Sequence, residues 1–534
     1  QILRRFLVMT KKSKLMEEYF QMPNPNLRSW FGRTRRGVPE IVTTPLLKAN
    51  TASKLLNEWT GVLAPLKNEL PGLWKFEMDM AAKVGPMSYQ LPLSERMLDI
   101  DSYYDSILNE SEPVSDVALD AVLAEWGVDC LGVRSPQETM AQMKLSTSSG
   151  APYFTKRRRV VRPTLHAQVD HSTQISKGVE YKLTAILGWR GQEGGPKVSD
   201  VKQRVIWMFP FAANLQELRV YQPLIEHAQR NKLVPAWISM AAVDGEITAL
   251  FDTKGKDDLV ICTDFTKFDQ HFNPSCQEAA RALLDTMLLD GSVSDYWIQE
   301  IFPIKYNIPL CYDWGEFRHG LHGMASGSGG TNADETLVHR ALQHEAAISA
   351  GATLNPHSQC LGDDGILSFP GISVEKVLKS YTRHGLNMNE SKQSASTTEC
   401  IYLRRWHDID YRKDGVCVGV YSTCRALGRL MYQERYYDPD EWGPEMVALR
   451  QLSILENVKY HPLREKFVQF VMKRDKYRLG LDIPGFLDDL ETIATEARAN
   501  MDDFLGYTKS QQASGDPTAG IASWWIVRYL KSMA

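Results

Sequence analysis

Residues 360–367 read Cys360-Leu361-Gly362-Asp363-Asp364-Gly365-Ile366-Leu367. Apolar residues on both sides of Gly-Asp-Asp predict a tight hairpin turn between two short strands. Two adjacent carboxylates at such a tip repel each other. A turn made for backbone reasons needs only one Asp with its glycine. A cation held between this pair and distant acidic partners accounts for both acids. The tripeptide alone is equally a solvated turn, so its partners along the chain decide.

The first partner is Asp258-Leu259-Val260-Ile261-Cys262-Thr263-Asp264-Phe265-Thr266-Lys267-Phe268-Asp269. Leu259 to Thr263 is a short β-branched apolar run, which predicts a buried strand. Asp264 stands where that strand ends, and Asp269 follows on the next turn. The simpler alternative is that Asp264 caps that turn. The second partner is Gly323-Met324-Ala325-Ser326-Gly327-Ser328-Gly329-Gly330-Thr331. Leu337, Val338, Ala341, Leu342 and Ala346 recur after it at helical spacing. A glycine-rich loop entering a helix lets backbone approach a ligand and offers N–H groups to anions. An ordinary helix start, with Thr331 and Asp334 at capping-box spacing, is the alternative.

Together these elements resemble the palm signature of viral RNA-dependent RNA polymerases. The pieces are Asp264/Asp269, then Ser326-Gly327/Thr331 before a helix, then Gly362-Asp363-Asp364 in a hairpin. Val201-Lys202-Gln203-Arg204-Val205-Ile206-Trp207 resembles the basic fingers motif over the incoming nucleotide. Thr147-Ser148-Ser149-Gly150-Ala151-Pro152-Tyr153 looks like the template-entry loop. Lys392 falls where the family carries a palm lysine, and Tyr402-Leu403-Arg404-Arg405-Trp406 is similar to the hairpin joining palm to thumb. The likeness spans residues 145 to 406, and its details look closest to picobirnaviruses, then partitiviruses.

The resemblance implies an α+β right-hand fold with fingers, an antiparallel palm sheet and a mainly helical thumb. It implies templated nucleotidyl transfer from NTPs to an RNA 3′-hydroxyl, for transcription and replication of a double-stranded RNA genome. Asp264, Asp363 and Asp364 would hold Mg2+, for which Mn2+ could substitute. Clustered without metal, these acids would repel, so at least one is expected to carry a raised pKa. Lys392 would protonate the leaving pyrophosphate, unless it is a solvated loop lysine. Lys197, Lys202 and Arg204 would hold the triphosphate; surface charge flanking a strand is the alternative. Ser326, Gly327 and Thr331 would steer template and ribose, and Asp269 would sense the 2′-hydroxyl. Ser149, Gly150, Pro152, Lys156, Arg157 and Arg158 would contact template RNA. Arg404 and Arg405 would touch product phosphates or else form a salt bridge.

One position departs from the family pattern. Many relatives carry Asn four residues after the loop threonine; this chain has Glu335. A carboxylate accepts from a hydroxyl but cannot donate to Asp269 unless protonated. Asn332 and Asp334 are neighbouring candidates for the missing donor, and Glu335 could simply favour the helix N-terminus.

Composition sets outer bounds. With 534 residues, 43% hydrophobic and 24% charged, the chain reads as an ordinary folded protein of several subdomains. No apolar run approaches the ~18 residues of a membrane span, so a soluble protein is expected. Eight scattered cysteines without C-x-x-C spacing suit a reducing compartment and neither a disulfide framework nor a zinc site. The net charge of −4 hides basic runs at Arg4, Arg5, Lys11, Lys12 and Lys14, at Arg33, Arg35 and Arg36, and at Lys156 to Arg159 with Arg162. A polymerase needs a basic channel and an acidic metal site, whatever its outer charge.

The expected organisation is an N-terminal extension at 1–100 bridging fingers and thumb, and fingers at 101–255 and 273–319. The palm is expected at 256–272 and 320–410, and the thumb with a C-terminal tail at 411–534. Arg190 to Pro196 is polar and Gly-rich and is expected to be a mobile loop. Trp524 and Trp525 are expected to dock into a core, with Tyr507 a candidate for stacking on the first nucleotide. The expected partners are RNA, NTPs and a capsid protein, with a monomeric chain in the virion interior and host-cell cytoplasm. Two readings compete: a reverse transcriptase, disfavoured by Leu361-Gly362 before the Asp pair, and a non-catalytic RNA-binding protein, which would need no clustered carboxylates.

Overall fold

The computed structural model describes residues 25–47, 50–169, 174–176, 180–500 and 518–534. The basic run at Arg4 to Lys14 and Tyr507 lie outside the described residues. The chain divides into two compact units: 1–36, 92–188 and 205–400 form the first, and 37–91, 189–204 and 401–534 the second. Residues 37–91 of the expected N-terminal extension thus fold with the C-terminal segment. No helix among the described residues is long and apolar enough to cross a membrane.

Three helices and four strands place the chemistry in the first unit. Helix α1 (Asp116–Trp126) is capped by Ser115, whose hydroxyl accepts from the Ala118 amide. Helix α2 (Phe211–Arg230) buries Leu215, Val220 and Leu224. Strand β1 (Val260–Thr263) ends just before Asp264. Helix α3 (Thr331–Ser349) follows the glycine loop and is buried nearly all round, through Leu337, Val338, Ala341, Leu342 and Ala346. Such a helix belongs in the middle of a core, and α3 packs on α1. Strands β2 (Gln359–Leu361) and β3 (Asp364–Leu367) form the hairpin, and β4 (Ser394–Ser396) completes a four-stranded sheet in the order β4-β1-β3-β2.

All three ladders of that sheet are antiparallel. Gly365 pairs with Thr263, Asp364 with Leu361, and Ser394 with Cys262. Continuing the first register by one residue sets Asp264 across from Asp364. Beneath the sheet, Phe265 stacks on Tyr381 at 5.7 Å between centroids and lies edge-on to His339 at 5.2 Å. Cys360 is buried, as its strand position predicts, and Cys262 is half-buried.

The second unit is mainly helical. Trp59, on the helix Ala52–Leu63, donates to the Thr423 hydroxyl at 2.7 Å and packs on Phe467 at 4.8 Å. The buried Glu77 carboxyl accepts from the Thr423 amide at 2.7 Å, closing the start of the helix Thr423–Met431. The unit's C-terminal helices include Arg464–Met472 and Leu490–Asn500. The C-terminal helix Trp525–Ser532 docks through Ile526, Val527 and Leu530. Trp524 and Trp525 are only half-buried, so the aliphatic face carries the docking.

The expected loop at Arg190 to Pro196 requires correction. Its first three residues finish the strand Ala185–Gln192. Arg190 pairs with Glu434 at 3.1 Å, and the buried Glu193 pairs with Arg425 and, at 3.6 Å, with Arg429. A Cβ on Gly191 would lie 1.9 Å from the Met87 carbonyl oxygen, so glycine there reflects close packing.

Candidate functional site

The Gly-Asp-Asp turn is held by helix α3. Gly362 has φ +58°, the left-handed region that glycine adopts most readily. Its amide donates to the Thr336 hydroxyl at 2.9 Å, and its carbonyl accepts from His339 Nδ1 at 2.8 Å. Burial pushes the His339 imidazole down to about 4, so at neutral pH it is a neutral donor. Asp363 is exposed at the tip and Asp364 half-buried at the start of β3. Replacing Thr336 by Val leaves a buried amide without its acceptor, which should cost about 1–3 kcal/mol. Urea unfolding checks this, and an unchanged midpoint would remove Thr336 from the account.

Asp264 is fixed through its backbone. Its amide donates to Gln393 Oε1 and its carbonyl accepts from Gln393 Nε2, both at 2.8 Å. Gln393 follows Lys392, which is exposed in the 3₁₀ turn Glu390–Lys392. The sequence reading found Lys392 but not Gln393. A polar residue before a short strand carries no signal until its distant partner is known.

The glycine loop is gripped from several sides. A Cβ on Gly327 would lie 1.7 Å from the Trp207 carbonyl oxygen, and one on Gly330 would lie 2.3 Å from the Tyr221 ring. The Ser326 hydroxyl accepts from the Trp207 amide at 3.3 Å. The alternative of a capping box at Thr331 and Asp334 is not what forms: Gly330 is the N-cap and makes no side-chain cap bond. Instead the Thr331 hydroxyl donates to the Ala325 carbonyl at 3.0 Å, and Asp334 points into the protein. There it accepts from Tyr221 at 2.7 Å and Tyr306 at 2.6 Å and pairs with Lys305 at 3.1 Å.

This placement sets the three candidates apart. Asp334 is consumed by its buried partners. Asn332 Oδ1 accepts from Trp237 Nε1 at 2.9 Å, and its Nδ2, a donor, reaches within 3.4 Å of a Cβ position on Gly362. Glu335 is buried, hydrogen-bonds Asp269, and reaches within 3.5 Å of a Cβ position on Gly362. Burial, then the Asp269 charge, holds its carboxyl well above the usual range, with Asp363 adding to the rise. Glu335 is thus a buried acid with a raised pKa beside the expected triad. Protonated, it donates to Asp269.

The basic candidates belong to the second unit. Lys197, Lys202, Arg204 and Arg404 are exposed. Lys202 is lowered by burial and then by the like charges of Lys83, Arg204 and Arg404. Although solvent reaches the Arg404 side chain, the protein packed around it brings it down to about 10, with Arg425 and Arg204 adding to the effect despite Glu193. Cations so crowded form a ready anion surface. Arg405 differs: it is buried, bonds Asn457 at 3.3 Å and lies over the Tyr421 ring. Its expected contact with product phosphates gives way to a role inside this unit.

In the first unit the expected template residues divide. Ser149, Gly150 and Pro152 are buried; Ser149 Oγ accepts from the Thr155 amide at 3.1 Å, and a Cβ on Gly150 would strike the Phe209 carbonyl at 2.4 Å. These three shape the loop, and Tyr153 and Ser148 are exposed on it. Arg157 turns inward to the Lys144 carbonyl at 3.2 Å and over the Phe211 ring at 4.9 Å. Burial lowers it to about 10. Arg158 remains exposed and Lys156 half-buried.

Among the described residues, no three His, Cys, Asp or Glu side chains stand close enough to hold a metal ion by themselves. Like charges without a counter-ion keep apart. The donor set nonetheless fits a hard divalent cation: carboxylate oxygens at two adjoining strand ends, free of soft ligands. Asp264, Asp363 and Asp364 are the residues that would hold it.

Residues 100–459 match the protein family described as viral RNA-dependent RNA polymerase. A potential RNA-dependent RNA polymerase of human picobirnavirus (strain Human/Thailand/Hy005102/-) is 58% identical over 524 residues, covering 96% of this chain and 98% of that protein. The crystal structure of the RNA-dependent RNA polymerase of a human picobirnavirus superposes with a TM-score of 0.92 at 56% identity, covering 98% of this chain and 99% of that one. Its insertion-loop deletion mutant gives 0.91 at 55%, with the same coverage.

Proposed function

The chain belongs to the viral RNA-dependent RNA polymerases, and from that premise we propose how its residues divide the work of templated RNA synthesis. The right-hand α+β fold and the enzyme class, an RNA-directed RNA polymerase, follow from the family. The reaction joins an RNA 3′-oxygen to the α-phosphorus of an NTP. The bond from that phosphorus to the bridging oxygen breaks, and pyrophosphate leaves. Asp264, Asp363 and Asp364 would hold two divalent ions, Mg2+ or Mn2+, which when bound neutralise charge on the attacking and leaving oxygens. The observation that carries this assignment is the β1–β3 register, which brings acids nearly a hundred residues apart to adjoining strand ends.

The remaining residues bind and orient. Lys197, Lys202 and Arg204 would receive the triphosphate, and exposed Lys392 would return a proton to pyrophosphate. Arg158, Lys156 and Arg404 would contact RNA phosphates. The proposed setting is a double-stranded RNA genome transcribed and replicated within the virion interior and the host cytoplasm. A capsid protein would be the partner of an otherwise monomeric chain. The reading is tested by incorporation of labelled ribonucleotides on a single-stranded RNA template with Mg2+ or Mn2+. Absence of templated product in either metal, alone or with capsid protein, would overturn it.

Ribose selection falls to Asp269 and Glu335. A hydrogen bond from Glu335 leaves Asp269 oriented to accept from the 2′-hydroxyl. Glu335→Gln keeps a donor of the same shape and should keep discrimination against dNTPs. Glu335→Leu removes the donor and should reduce discrimination by about 10–100-fold, since one hydrogen bond to a charged group contributes about 1.5–3 kcal/mol. Competition between GTP and dGTP measures it. Equal discrimination in both variants would sink this role.

A further inference from the structure

A buried acid outside the carboxylate site faces the glycine loop. Glu217 lies on α2, is fully buried, and accepts from the Ser328 hydroxyl at Oε2 and from the Gly329 amide at Oε1, the latter at 3.1 Å. Ser328 Oγ also accepts from the Gly330 amide at 3.0 Å, so one carboxyl orders three successive loop residues. The charged groups facing it are Lys305 from the short helix Ile304–Asn307 and Asp334 from α3. Lys305 bonds Asp334 and the Phe302 carbonyl at 2.8 Å, which leaves Glu217 as a second acid beside one cation. An uncompensated buried carboxylate is a poor way to stabilise a core. Its two contacts both go to the loop that carries Ser326 and Gly327.

We propose that Glu217 is the positioning residue of the glycine loop: its carboxylate seats the Ser328 hydroxyl and the Gly329 amide, and so sets where Ser326 and Gly327 stand for ribose and template. The inference rests on the polymerase reading above and assigns a residue that touches no substrate. Burial raises the Glu217 carboxyl to about 7, against its ordinary value of 4.5. The folded state therefore holds its proton more tightly than the unfolded chain does. Its contribution to stability is full below about 4.5 and is lost as pH rises through about 7. The ionised form that seats both loop groups is thus maintained at a cost in stability, as expected of a functional group.

The test compares wild type, Glu217→Gln and Ser328→Ala in templated ribonucleotide incorporation, with Asp363→Asn as the inactive control. Glu217→Gln should lower kcat/KM about 10–100-fold, the scale of a small misplacement of reacting groups. Its melting temperature should be equal to or above wild type at pH 8, and the difference should vanish near pH 4.5. Ser328→Ala should fall in the same direction, and the double variant should lose no more than the worse single one. Glu217→Gln activity within twofold of wild type, or activity and melting temperature falling together at pH 8, would overturn the proposal. Because Asp363→Asn is scored in the same assay, that result would leave the polymerase reading standing.

Discussion

Asp363→Asn should abolish RNA synthesis while leaving the fold intact. Asp363 is exposed at the tip of the β2–β3 turn, so the isosteric amide fits the same space. The amide keeps the shape but loses the charge that a hard cation requires. Metal stabilisation of charge in the transition state amounts to several kcal/mol, and about 4 kcal/mol is roughly a 10³-fold loss of rate. Incorporation on an RNA template should fall by at least about that factor with Mg2+, with the melting temperature unchanged. The charge removed also faces Glu335, whose carboxyl Asp363 helps to raise. Retained activity would mean that the Gly-Asp-Asp turn is not the catalytic centre. Deoxynucleotide controls in the same assay then read the Asp269–Glu335 pair separately.

The largest stability effect is expected at Lys305. Its ammonium is fully buried, 3.1 Å from the equally buried Asp334, and lies over the Phe302 ring at 3.7 Å. Lys305→Met fills the same space but leaves Asp334 with two tyrosine hydroxyls and no cation, and Glu217 with no cation nearby. Breaking a buried pair from one side costs about 3–5 kcal/mol, a large share of the roughly 5–15 kcal/mol that holds a folded domain together. Urea unfolding at pH 8 should show that loss. The deficit should shrink toward pH 5, because protonation relieves an acid that has lost its partner. Adding Asp334→Asn to Lys305→Met should recover part of the loss, since no ion then remains uncompensated at that point. An unaltered unfolding midpoint in Lys305→Met would show that the pair contributes nothing net.

The two regions bear differently on function. Lys305 and Asp334 anchor the base of α3, whose next residue, Glu335, meets Asp269. Glu217 sits at the other side of the same network and takes the loop that begins the helix. Damage to the first should lower stability, whereas a conservative change at the second should lower activity with stability maintained. That difference in outcome separates a scaffold ion pair from a positioning acid.

Much of the polymerase architecture was legible in the chain because its signals are local. A turn that needs φ +58° at Gly362, short apolar runs before Asp264 and on either side of Gly362, and helical spacing from Leu337 to Ala346 are constraints a few residues long. The resemblance of the ordered motifs then supplied what spacing could not, including the roles expected of Asp264, Asp363 and Asp364. Charged residues were the weaker ground. Arg157, in a basic run, and Arg405, in the stretch resembling the palm–thumb hairpin, read as RNA contacts, yet one turns onto Phe211 and the other onto Tyr421 and Asn457. Gln393, His339, Glu217 and Lys305 carried no signal at all.

By itself, then, the sequence determined the strand–turn–strand at Gly362, the helix behind the glycine loop and the family. Backbone conformation and side-chain period act over neighbouring residues, so each of these is written locally. Only the tertiary structure decided which charges lie inside. Glu217 meets Ser328 across 111 residues of chain, and Asp264 meets Gln393 across 129. Removal from water, and the single partner found there, turns an ordinary glutamate or lysine into a group with a shifted pKa and a fixed position. That change depends on what folds around the residue, and no local pattern records it.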